Sequence, residues 1–130
     1  MNTPLATRPA VVLFGHGARD PEWARPMQRI RACMLVEPDA PRVELAFLEF
    51  MQPDLSTAVA DLVAEDVDRI AIVPVFLAQG GHLKRDLPLL LEEIRQRHPG
   101  CTISLARAAG EAERVIAAMA GYALDCLSGD

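Results

Sequence analysis

The run from Ile70 to Leu77 carries no polar side chain. It is too short to cross a membrane and too uniformly apolar for a surface helix, so it reads as a strand buried on both faces of a parallel sheet. Gly80, Gly81 and His82 follow it closely. The two glycines can take backbone shapes closed to other residues and let a ligand come close. His82 then stands at the carboxyl end of the strand, where open α/β sheets bind ligands. Pro74 works against this strand, since it has no N–H to give a sheet ladder. Either the strand is irregular at Pro74 or its boundary lies elsewhere.

A second stretch repeats the layout. Ala10 to Phe14 is apolar and leads into Gly15-His16-Gly17-Ala18-Arg19-Asp20. Two of the chain's three histidines therefore follow buried-strand candidates, each beside glycine.

The remaining elements fall between these landmarks. Asp20 caps a first helix with Pro21 in its first turn, and Trp23, Met27, Ile30 and Met34 recur at helical spacing as its inner face. Val43 to Phe50 gives a second strand ending near Glu49. Leu55, Val59, Leu62 and Val63 face a second helix inward. Asp86 reads as the cap of a third helix, with Pro88 early in it and Pro99-Gly100 stopping it. Thr102 to Ala106 is a fourth strand. Gly110 and Glu111 open a fourth helix, with Val115, Met119 and Leu124 inside.

Four strand–helix repeats predict a single doubly wound α/β domain over residues 9–130, after a loose arm at residues 1–8. Its four-stranded parallel sheet has helices on both faces. The simplest strand order is 2-1-3-4. It makes the first and third strands neighbours where the chain direction reverses, which is where a ligand crevice is expected. His16, His82 and Glu49 then share one rim.

Composition narrows the partners. The chain of 130 residues has a formal charge of −5 and no basic run, which argues against a nucleic-acid partner. Arg8, Arg19, Arg25, Arg29 and Arg31 crowd the first quarter, so a local positive surface near His16 is compatible with the acidic total. No apolar run reaches membrane length and the first residues lack a leader's basic start and apolar core, so a cytoplasmic location is expected. Cys33, Cys101 and Cys126 have no metal or redox spacing and read as buried thiols in a reducing compartment.

Two imidazoles suit a borderline divalent metal such as cobalt, nickel, zinc or iron(II). A pair of protein ligands leaves positions open, so the metal can be passed on. Glu49 is either a third ligand or a base for protons released by an incoming ligand. Binding needs neutral histidine and should weaken below about pH 6. His98, before Pro99 at a helix end, reads as a helix-terminal cation. Gly15-His16-Gly17 lacks the spacing and lysine of a phosphate loop.

Four segments together resemble the class II chelatases, and most closely the short CbiX-type sirohydrochlorin chelatases. They are Leu13-Phe14-Gly15-His16-Gly17, Phe47-Leu48-Glu49-Phe50, Val73-Pro74-Val75-Phe76-Leu77 and Gly81-His82-Leu83-Lys84-Arg85-Asp86-Leu87-Pro88. The likeness runs from about Ala10 to Leu124. It implies ATP-independent insertion of a divalent metal, cobalt first and iron or nickel as alternatives, into sirohydrochlorin or a related tetrapyrrole. It places metal binding on His16 and His82 and the acidic role on Glu49. It also implies a homodimer, because larger relatives carry two such domains in one chain. Sirohydrochlorin carries many carboxylates, so Arg19, Lys84 and Arg85 are the candidate cations, with Arg107 behind them. Phe76 and Leu83, with Phe14 and Met51, are candidate apolar contacts to the ring. The competing reading is a non-catalytic protein that holds the metal or the tetrapyrrole for delivery.

Overall fold

The structure, a computed structural model, describes residues 7–129. Four parallel strands, β1 (Pro9–Gly15), β2 (Arg42–Phe47), β3 (Arg69–Pro74) and β4 (Thr102–Leu105), form one sheet in the order β2-β1-β3-β4. The helices are α1 (Arg25–Leu35), α2 (Leu55–Ala64), α3 (Gly81–Arg97) and α4 (Glu113–Asp125). This is the doubly wound order expected from the strand–helix alternation, and it sets β1 beside β3.

The third strand is shorter than its apolar run. It ends at Pro74, which pairs with Phe14, and the next residue resumes the contact through Val75 N–H to the Phe14 carbonyl at 2.8 Å. Proline is tolerated at the strand end because no ladder donor is required of it there. β2 likewise stops at Phe47 rather than reaching Phe50. Of the expected N-terminal arm, residues 1–6 lie outside the described residues. Arg8 is tied down, its N–H donating to Asp68 Oδ1 at 2.9 Å.

Strand alternation divides the core in two. On one face Val12, Phe14, Ile70, Ile72 and Ile103 meet Leu55, Val59 and Leu62 of α2 and Leu87, Leu91 and Ile94 of α3. Each such fully buried aliphatic contributes about 1.5–3 kcal/mol relative to exposure. On the other face Leu13, Val43 and Phe47 pack with Met27 of α1 and Ala24 just before it. That second core stops short. Over β3 and β4 the same face carries Ala71, Val73 and Val75, half-buried, and Thr102 and Ser104, exposed.

Three expectations about the helices change. Trp23 lies in a 3-10 turn (Pro21–Ala24) before α1 and is 71% exposed, because that turn shifts the helical phase that seemed to bury it. None of the residues of α4 is buried, so Val115, Met119 and Leu124 are not inside this chain's core. Cys33 and Cys126 are exposed, and only Cys101 is buried, where desolvation raises its thiol pKa. Arg31 and Arg95 tie helices to the sheet: their Nε atoms donate to the carbonyls of Val43 and Ile103 and join α1 and α3 to the strands.

Two elements, α2 and the 3-10 turn before α1, start on a side-chain cap. Asp20 Oδ1 accepts from Glu22 N–H at 2.9 Å, and Asp54 Oδ1 accepts from Thr57 N–H at 2.8 Å. The bond from the Thr57 backbone, then its side chain, holds the Asp54 carboxyl below its ordinary 3.8. Asp54→Ala should cost about 1 kcal/mol of stability. A lowered carboxylate pKa stabilises the fold above the unfolded value and stops doing so as pH falls through the folded value. The difference between wild type and variant in urea melts should therefore be full at neutral pH and shrink below 3.8.

Candidate active site

The parallel pairing of β1 and β2 continues past both strands. Leu48 N–H donates to the Gly15 carbonyl at 2.9 Å, and Glu49 N–H to the His16 carbonyl at 3.1 Å. The loop bearing Glu49 is thereby laid against the loop bearing His16. Gly17 makes this possible. Its φ is +82°, and a Cβ there would sit 1.9 Å from the Glu49 carbonyl oxygen. Only glycine accommodates both conditions.

His16 is exposed and leans on an aromatic support. Its ring stacks on Phe76, with centroids 4.2 Å apart and planes 29° from parallel. Phe76 is itself only 7% exposed and packs at a tilt against Phe14. The expectation that Phe76 offers its face to a ligand changes accordingly: its ring is occupied in orienting His16. The loop behind it is clamped by Gly110, whose N–H donates to the Phe76 carbonyl at 2.8 Å. A Cβ on Gly110 would lie 2.3 Å from the Leu77 carbonyl oxygen. The sequence offered Gly110 only as a helix opener, and nothing local marks its contact with a loop 33 positions earlier.

His82 is the second residue of α3, which begins at Gly81 and not after Asp86. Gly80 is the cap, in extended backbone, and its carbonyl accepts the Lys84 N–H at 2.9 Å. Asp86 and Pro88 together mimic a helix start, yet the helix runs through both. Leu83, half-buried, packs on the core in line with Leu87, Leu91 and Ile94. His82, Lys84 and Arg85 are thus left exposed on the first turns. Neither Gly80 nor Gly81 has positive φ, and a Cβ on either would meet nothing within 4 Å. The glycine pair is open space at the rim, not a strained turn.

A cleft of about 380 Å³ opens beside His16, lined by Gly15, Trp23, Met27, Phe47 and Val75 among others. Its walls are mostly apolar and His16 is the titratable group in it. His82 stands on the same carboxyl rim, at the end of the neighbouring strand, without lining that cleft. An adjoining groove holds Arg19 and Phe50, with the Arg19 guanidinium 5.0 Å from the Phe50 ring centre. Phe50 has φ +67°, an uncommon state for an aromatic residue and one found at binding sites. Among the described residues, no three His, Cys, Asp or Glu side chains come together to hold a metal ion. Glu49, exposed on its loop, does not complete a metal cage with the histidines in one copy of the chain.

This arrangement, a doubly wound domain with a histidine after each of two adjacent strands, coincides with a family match. The CbiX family profile covers residues 10–123. The chain belongs to the CbiX family.

Relatives and solved structures agree. The sirohydrochlorin cobaltochelatase of Sulfurisphaera tokodaii is 37% identical over 105 residues, covering 81% of this chain and 82% of that protein. That of Methanopyrus kandleri is 42% identical over 82 residues, covering 63% of this chain and 57% of its own length. A CbiX protein from Marinobacter aquaeolei superposes with a TM-score of 0.80 at 27% identity, over 94% of this chain and 99% of that one. SirB of Bacillus subtilis subspecies spizizenii, a sirohydrochlorin chelatase crystallised with cobalt, gives a TM-score of 0.68 at 26% identity. There the match covers 78% of this chain but only 44% of SirB. No described helix of this CbiX-family chain is long and apolar enough to cross a membrane.

Proposed function

We propose that this protein is a sirohydrochlorin chelatase that inserts a divalent metal, cobalt foremost, into the macrocycle without ATP. The observation that carries the reading is His16: exposed, held on Phe76, and opening into an apolar cleft at the sheet's switch point. Insertion exchanges two pyrrole N–H protons for one M²⁺, giving the metallated ring and two protons. The imidazoles of His16 and His82 bind the incoming metal and leave positions free for the ring nitrogens. Glu49, laid against His16 by the loop pairing, accepts protons as the metal enters. Arg19, Lys84 and Arg85, all exposed on the rim, take the substrate's carboxylates. Trp23 and Phe47 offer the apolar wall that Phe76 does not.

The chain works as a homodimer in this reading. The match to less than half of SirB supports it. It acts in a reducing cytoplasm, where the exposed thiols of Cys33 and Cys126 persist. The test is spectrophotometric: anaerobic sirohydrochlorin with Co²⁺, Fe²⁺ or Ni²⁺, with and without protein. The free macrocycle's absorption should disappear faster with protein, and fastest with cobalt. Binding of metal or macrocycle with no rate above the protein-free control would leave a delivery role instead.

A further inference from the structure

The loop between β2 and α2 keeps a residue in a costly backbone state that the core does not need. Phe50 has φ +67°, and across it the Met51 N–H donates to the Glu49 carbonyl at 2.8 Å. A hydrogen bond of that span about a residue at positive φ is the rare, strained form of γ-turn. Glycine or asparagine is the ordinary occupant of such a position. A phenylalanine stands there instead, and it is 58% exposed, so burial does not account for it. The surroundings hold the turn in place. Phe47 N–H donates to the Pro53 carbonyl at 2.9 Å and closes the loop, while Glu49 N–H is bonded to the His16 carbonyl. Strain fixed in this way collects where a site needs a side chain aimed.

What the ring meets is Arg19, whose guanidinium carbon lies 5.0 Å from its centre, within cation–π range. A guanidinium laid on a ring face keeps its N–H edge open to a planar acceptor. Nothing acidic competes for that edge. Asp20 caps the following turn through Glu22 N–H, and Glu22 pairs with Arg25 at 3.3 Å. Among the described residues no carboxylate pairs with Arg19. The groove of about 450 Å³ beside it has Gln28 and Gln52 as its other polar side chains and no acid. One cation and two amides suit a carboxylate. The groove shares Ala18 and Phe47 with the His16 cleft. A broad, flat ligand can therefore rest a peripheral carboxylate on Arg19 while its centre lies toward His16.

We propose that Phe50 is a positioning residue for macrocycle selection. Its strained turn fixes the ring, the ring fixes the plane of Arg19, and Arg19 then reads one carboxylate at the edge of the tetrapyrrole. The inference rests on the tetrapyrrole reading above and deepens it. Phe50 acts through Arg19 and not on the metal, because His16 is oriented by a different ring, that of Phe76.

Equilibrium binding tests this on the full chain without requiring turnover. The chain has one tryptophan, Trp23, in the wall of the His16 cleft, so quenching of its fluorescence reports metal-free sirohydrochlorin. Phe50→Gly should melt within a few degrees of wild type, since glycine tolerates the turn. Its Kd for the macrocycle should rise about tenfold, with cobalt affinity unchanged. Phe50→Tyr, which keeps the ring, should stay within about twofold of wild type. Arg19→Gln should match Phe50→Gly, and the double variant should be no weaker than Arg19→Gln alone, as expected of two residues acting as one unit. An unchanged Kd in Phe50→Gly, a tyrosine variant as weak as the glycine one, or a roughly hundredfold loss in the double variant overturns the positioning role. Any of these with cobalt insertion intact leaves the chelatase standing. The expected pattern of Kd values without insertion overturns the chelatase and leaves the positioning role. Wild type that binds no sirohydrochlorin overturns both.

Discussion

His16→Ala and His82→Ala should each reduce cobalt insertion at least about 100-fold while leaving the melting temperature within a few degrees of wild type. Both side chains are exposed, so neither carries core energy. A loss of activity with an intact melt therefore reports on chemistry. Cobalt binding measured by calorimetry should weaken in both variants. Phe76→Leu sharpens the point. It keeps apolar volume in the core but removes the ring on which His16 rests at 4.2 Å, so it should slow insertion by roughly tenfold with cobalt affinity little changed. Full activity in His16→Ala would remove the metal from the His16 cleft altogether.

Gly17→Ala should be strongly damaging for a change of a single methyl. It forces alanine to φ +82° and drives a methyl to 1.9 Å from a backbone oxygen that cannot rotate away. Left-handed strain costs about 1–3 kcal/mol and overpacking a similar amount. A total of about 3 kcal/mol corresponds to a fall of roughly 10 °C or more in Tm for a domain of this size. Insertion should fail even well below that Tm, because relief of the clash separates the His16 and Glu49 loops. Gly81→Ala is the matched control. No atom waits within 4 Å of its Cβ and it begins a helix, so thermal melts should find it neutral or slightly more stable.

The sheet and its order were legible because strand–helix alternation and two buried-strand signals leave few topologies open. The position of His16 was legible for the same reason. What misled was local mimicry. Asp86 and Pro88 have the spacing of a helix start, but tertiary packing of Leu83 with Leu87 draws the helix back to Gly81. Trp23 fits the helical spacing of Met27 and Met34, yet a 3-10 turn takes it out of phase and into the cleft wall. On α4 the sequence set Val115, Met119 and Leu124 inside, yet none of them is buried, because spacing shows a repeat and not which surface covers it. Gly110 was unreadable, since its constraint comes from Leu77, far off in the chain.

The phenyl ring under His16 has a geometric consequence. With one side of the imidazole closed, its plane is fixed, and its ring nitrogens can point only within that plane. In the proposed chelatase a metal bound by His16 would lie in the plane of the imidazole, and the macrocycle would reach it clear of the side that Phe76 closes.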